Sequence, residues 1–141
     1  MYYGKKEAFM TQILNGFEVS KAIRQSLKEK VAKIEGRKPG LTVVIVGEDP
    51  ASQTYVASKA KQAQDVGFVS NVLEFDVDIS EETLIEEIKK LNQDHTVDGI
   101  LVQLPLPGHI HEDHVIQAIS PMKDVDGLNP LNVGYLELNQ K

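Results

Sequence analysis

LTVVIVGEDPASQTYVASKAKQAQDVG, residues 41–67, sets the fold class. Its opening LTVVIV is β-branched and apolar almost throughout, and too short for a helix. Such a run reads as a strand buried on both faces, the habit of parallel sheets. Asp49-Pro50 follows, an N-cap residue with proline at the first helical position. The helix it opens runs to Asp65 or Val66, where Gly67 closes it. A buried strand passing straight into a helix is half of a βαβ unit.

The pattern repeats outward. Upstream, Val19, Ile23, Leu27, Val31 and Ile34 recur at helical spacing within 16–35, with Gly36 and Pro39 as stops. Downstream, FVSNVLEFDV (68–77) predicts a second strand, and Ser80 with Glu81 and Glu82 opens a helix carried by Leu84, Ile85, Ile88 and Leu91. DGILVQL (98–104) predicts a third buried strand, ended by Pro105 and Pro107, and a short helix follows over about 111–119. From Ser120-Pro121 onward the chain reads as irregular, the start of a linker or docking helix. The order αβαβαβα predicts an α/β, three-layer αβα domain around a parallel sheet of about three to four strands, with right-handed crossovers.

On the 50–66 helix, Ser52, Tyr55, Val56, Ala63 and Val66 share one side, and Lys59 lies near the centre of that stripe. Lys61 points the other way and is an ordinary solvated lysine. A lysine on a core-facing stripe snorkels out, finds a partner or loses its charge. Alone, Lys59 fits a snorkelling residue; the alternative is a desolvated lysine tuned for proton transfer.

The 141 residues suffice for one domain with a real core, and 41% hydrophobic with 26% charged residues is a globular composition. A net charge of −6 argues against a nucleic-acid surface. The absence of cysteine excludes disulfides and thiolate chemistry and suits a reducing, cytoplasmic compartment. No apolar run approaches a membrane span, and MYYGKKEAFM lacks the apolar core of a secretory signal.

Open α/β sheets bind ligands beyond the carboxyl ends of their strands. GEDPAS (47–52), VQLPLP (102–107) and the turn KDVDG (123–127) are the segments to watch. Gln103 at a strand end either ties down a loop or bonds a lysine and a substrate carbonyl. Asp124 and Asp126 are either plain turn residues or include a carboxylate that accepts two N–H donors from a ligand. Tyr55 and Lys59 also form the Tyr-x-x-x-Lys pair of short-chain dehydrogenases, but no G-x-G-x-x-G phosphate loop occurs. His109, His111 and His114 cluster with Glu112 and Asp113. They show no visible supporting shell, so no metal site is assigned and the acidic pair is read as favouring a helix N-terminus.

VGEDPASQTYVASKAKQAQDVGF, DGILVQLPLP and PMKDVDGLNPLNVG, in this order, resemble the methylenetetrahydrofolate dehydrogenase/cyclohydrolase family from about Ile13 to Leu136. The resemblance implies interconversion of methylene-, methenyl- and formyl-tetrahydrofolate, with hydride passed to NADP or NAD, in a cleft between a catalytic and a nucleotide-binding domain. It implies Lys59, Tyr55 and Gln103 as catalytic residues, Asp126 as the pterin-binding aspartate, and Ser52 with the backbone of Val102, Gln103 and Leu104 as folate-site lining. It further implies a homodimer without nucleic-acid or membrane partners. The expected organisation is an extension or expression remnant at 1–12, a folate-binding catalytic domain at 13–122, and a substrate-site turn with the start of a linker at 123–141. The nucleotide-binding domain is expected to be absent from this chain. A non-catalytic folate-binding or interaction module on the same scaffold is the alternative.

Overall fold

The computed structural model describes residues 15–139; the expected extension at 1–12 lies outside them. The described elements are α1 (Gly16–Ala32), β1 (Gly40–Val46), α2 (Pro50–Asp65), β2 (Val69–Phe75), α3 (Glu81–Gln93), β3 (Gly99–Val102), α4 (Glu112–Ala118) and α5 (Pro130–Glu137). Side chains cap most helix starts. Asn15 accepts from Phe17 N–H, Asp49 from Ser52 N–H, Ser80 from Thr83 N–H and Asn129 from Leu131 N–H. Among the described residues no helix is long and apolar enough to cross a membrane.

The sheet is parallel, in the order β2-β1-β3. Gly40 to Val46 pair with Val69 to Phe75 on one side, and Leu41 to Val44 pair with Gly99 to Val102 on the other. A bridge between Ile100 and Asp124 extends the sheet beyond β3. Chain direction reverses across the sheet between the two crossovers, so α2 and α3 fall on opposite faces. Val43, Ile45 and Leu101 pack with Val56 of α2, while Val44, Val46, Ile100 and Val102 pack with Leu84 and Ile88 of α3 and Val115 of α4. This two-sided burial explains the continuous apolar run of β1.

The start of β1 is held by Asp98, which accepts Gly40 N–H at 2.7 Å and pairs with both terminal nitrogens of Arg37 at 2.6 and 2.9 Å. Gly47, at φ +79°, turns the chain out of β1 toward α2, a backbone state that glycine adopts without steric cost.

Two expectations are corrected. The segment after Pro121 is not irregular throughout, because α5 forms behind the Asn129-Pro130 cap. The stripe on α1 is largely unburied: Val31 is in the core, but Val19 and Ile23 stand 54% and 56% exposed. Its spacing specified a helix and not a partner for the helix face.

Candidate active site

Lys59 Nζ donates a 3.1 Å hydrogen bond to Gln103 Oε1. Strand alternation explains the meeting. Leu101 faces α2, and two residues further along the same side of the sheet comes Gln103. Gln103 continues the β3 pairing past the last strand residue, its N–H donating to Val44 O at 2.8 Å. Its Nε2 donates to Leu104 O at 2.6 Å, which fixes the amide with Oε1 toward the lysine. Ser52, Val56, Ala63 and Val66 are buried, and Lys59 is half-buried at the centre of their stripe. The side-chain nitrogen therefore reaches from the interior of α2 to the carboxyl end of β3. Such a pair positions a nitrogen that can take up and release a proton.

The other expected site residues distribute unevenly. Tyr55 is 65% exposed and not part of the buried face. It sits about 60° from the centre of the stripe, enough to turn its ring outward. Ser52 is buried, and its N–H is committed to Asp49 Oδ2 at 2.8 Å. Val102 is buried toward α3 and α4, and Leu104 packs against the same cluster. These residues contribute backbone to the strand end, with side chains turned into the core.

The two aspartates of KDVDG separate cleanly. Asp124 accepts Gly127 N–H at 3.0 Å, Asn129 N–H at 2.8 Å and the Asn132 side-chain amide at 2.9 Å. Burial pushes its carboxyl up, but N–H donors from Asn129, Asn132, Leu128 and Gly127 outweigh that and hold it below the ordinary value. Asp124 thus organises the turn. Asp126 is exposed and stands outside that network, beside Val102, Leu104 and Leu128 along a shallow crevice. The structure brings Lys59 and Gln103 into contact on the α2 face and leaves Asp126 at the same strand end beside Val102 and Leu104, which face α3 and α4.

A cleft of about 600 Å³ opens elsewhere, at the carboxyl ends of β1 and β2, lined by Gly47, Glu48, Gln53, Glu74, Phe75, Asp76 and Val77. It touches α2 only at Gln53. The cleft offers three carboxylates but neither lysine nor histidine, so the Lys59–Gln103 pair is the better candidate centre despite lying outside it. Sequence reading named Gly47 and Glu48 of this wall but not Glu74 and Asp76, whose place beside them depends on β2 pairing with β1.

Glu81 forms a second polar centre. It accepts His111 N–H at 2.6 Å, His111 Nδ1 at 2.8 Å and His114 Nδ1 at 2.7 Å. The His111 backbone N–H and the two imidazoles hold the Glu81 carboxyl down to about 2, while Glu81 raises His114 above its usual value. Glu112, expected only to favour a helix N-terminus, also accepts Leu106 N–H at 3.0 Å. The partnership of Glu81 with histidines thirty residues away has no local sequence signal.

Comparison with known proteins gives a consistent picture. Residues 14–126 match the model of the tetrahydrofolate dehydrogenase/cyclohydrolase catalytic domain. The bifunctional protein FolD of Anoxybacillus flavithermus is 51% identical over 132 residues, covering 92% of this chain and 47% of that protein. FolD of Brevibacillus brevis is 52% identical over 128 residues, covering 89% and 45%. The crystal structure of the FolD methylenetetrahydrofolate dehydrogenase/cyclohydrolase from Campylobacter jejuni superposes with a TM-score of 0.86 at 46% identity, covering 88% of this chain and 45% of that one. The Trypanosoma brucei enzyme, solved with NADP cofactor and inhibitor, gives a TM-score of 0.86 at 39% identity, covering 92% and 45%. The chain spans about half the length of the relatives it matches.

Proposed function

We propose, on the premise that the chain belongs to the tetrahydrofolate dehydrogenase/cyclohydrolase family, that it forms the folate-binding, lysine-bearing half of an enzyme interconverting 5,10-methylene-, 5,10-methenyl- and formyl-tetrahydrofolate. The observation that carries this reading is the 3.1 Å contact between Lys59 Nζ and Gln103 Oε1. It supports the roles that the family resemblance implies for both residues.

The cyclohydrolase step follows from this geometry. Water adds to the methenyl carbon, and Lys59 Nζ takes one of its protons. The bond from that carbon to N5 breaks, N5 receives the proton from Lys59, and the hydroxyl proton leaves to solvent as the formyl group forms. Gln103 holds Nζ in place through Oε1 and is itself held by Leu104 O. The exposed ring of Tyr55 offers a face for the pterin, and Asp126 offers a carboxylate to its paired N–H edge. Ser52 and the backbone from Val102 to Leu104 complete the wall.

A nicotinamide dinucleotide does not fit the described residues. The N-terminus of α2 is already capped by Asp49, and the adjoining cleft carries Glu48, Glu74 and Asp76, which repel a pyrophosphate. The dinucleotide is therefore held by other residues of the enzyme, and its nicotinamide meets the folate carbon over Lys59 and Gln103 to receive the hydride. The same reading assigns 13–122 to the folate domain and 123–141 to the substrate-site turn and linker, and carries cytoplasmic residence. It also carries a homodimer, supported by the apolar surface exposed on α1 and α5.

The test is hydrolysis of 5,10-methenyl-tetrahydrofolate, followed by loss of its near-ultraviolet absorbance, together with folate binding. Lys59→Ala is expected to slow the protein about 100-fold or more, the usual worth of a positioned proton-transfer group. Lys61→Ala is expected to leave the rate unchanged. Wild type and Lys59→Ala both at the uncatalysed rate, with folate still bound, identify the chain as a binding module instead.

A further inference from the structure

The geometry points to a divalent transition-metal site built from Glu81, His111 and His114, on the α3/α4 side of the molecule. Glu81 is the first residue of α3, and its side chain is only 18% exposed. His111 is the N-cap residue of α4 and makes no side-chain capping bond; His114 lies three positions on, within the first turn. That spacing puts both imidazoles on one face, with ring centroids 4.9 Å apart. Each Nδ1 addresses a different oxygen of the same carboxylate, and one ligand atom from each of the three residues lies within 4.8 Å of the others.

The donor set chooses the ion. Two imidazole nitrogens and one carboxylate suit Zn²⁺, Co²⁺ or Ni²⁺ and not the all-oxygen preference of Mg²⁺ or Ca²⁺. Without metal, protons on Nδ1 bridge each imidazole to Glu81. Binding replaces those protons with the ion, and water takes the fourth position of a tetrahedron. Ligand atoms around such an ion stand about 3.3 Å apart, given bonds of about 2.0–2.1 Å. The present separations of 2.7 and 2.8 Å must therefore open by about half an ångström. The imidazoles, 70% and 54% exposed, have room to swing that far. His111 N–H, bonded to Glu81 Oε2, fixes the carboxylate as an outer hydrogen bond does in established metal sites. A bound ion would cross-link the starts of α3 and α4, away from the Lys59–Gln103 pair.

The full chain is titrated with ZnCl₂ by calorimetry, and with CoCl₂ by visible absorption. One equivalent of zinc is expected, with the intense cobalt bands of a four-coordinate site. Glu81→Gln and the double variant His111→Ala/His114→Ala are expected to bind zinc about 100-fold more weakly or worse, since loss of even an outer-shell partner costs 10–100-fold. His95→Ala is expected to bind normally. Zinc bound no more tightly by wild type than by the double variant, or binding that depends on His95, overturns the assignment. Wild type alone gives an independent readout if the variants misfold. Substoichiometric Co²⁺ is expected to broaden the ring resonances of His111 and His114 first, and broadening of His95 or His109 before them overturns it.

Discussion

Replacing Asp124 by alanine removes the acceptor for Gly127 N–H, Asn129 N–H and the Asn132 amide, three bonds of 2.8 to 3.0 Å. A hydrogen bond to a charged acceptor contributes about 1.5–3 kcal/mol when only one partner is deleted. The three are not additive, because they hold one turn and the freed donors are partly rehydrated. The expected loss is about 2–4 kcal/mol, a large share of the stability of a domain this size. Asp126 lies two residues on, is exposed and stands outside the network. Asp126→Ala is expected to shift stability by less than about 0.5 kcal/mol, as for ordinary surface positions, while weakening folate binding. Urea unfolding of both variants, followed by circular dichroism at constant m-value, reads the difference directly. Equal stability losses, or a larger loss for Asp126→Ala, would refute the division of labour between the two carboxylates.

Gly40→Ala places a Cβ 2.0 Å from the backbone oxygen of Thr96, which cannot swing away. A loss above about 3 kcal/mol is expected in urea melts, beyond ordinary overpacking, and an unchanged midpoint contradicts the register at the start of β1. Leu84→Ala empties a fully buried position under the sheet and is expected to cost about 2–5 kcal/mol. Stability should also follow pH. The Arg37 guanidinium and Gly40 N–H hold the Asp98 carboxyl down to about 2 against an ordinary 3.8, and Glu81 is held to about 2 against 4.5. Both contributions are complete above the ordinary values and are lost as pH falls to about 2. His114 is raised above 6.5 by its bond to Glu81, so its contribution is complete below 6.5 and fades as pH rises through the folded value. Thermal melts from pH 2 to 8 check the sequence of losses, and a Glu81→Gln protein should lose the fade near neutrality.

The fold was legible where local rules and burial agree. β1 and α2 announce themselves through a two-sided apolar run, a capped Asp-Pro start and a closing glycine. α5 was missed although Asn129-Pro130 repeats that start signal, because Asn132, Val133 and Gly134 are poor helix formers. Lys59 and Gln103 were each visible as residues out of place, and strand alternation accounts for their meeting. Tyr55 was placed on the buried face because a stripe drawn from spacing has no sharp edge. Which aspartate of KDVDG is structural depends on where Asn129 and Asn132 fold back, and the Glu81 cluster depends on α3 meeting α4. Neither contact has a local pattern.

The central claim is that folate sits at the end of β3, over Lys59 and Gln103. Backbone and side-chain amide shifts, followed as a stable tetrahydrofolate such as the 5-formyl form is titrated into labelled protein, test it most directly. The account predicts the largest changes at Lys59, the Gln103 side-chain amide, Leu104 and Asp126. Changes concentrated instead at Gly47, Glu48, Phe75 and Asp76 would contradict it, moving the ligand into the acidic cleft between β1 and β2.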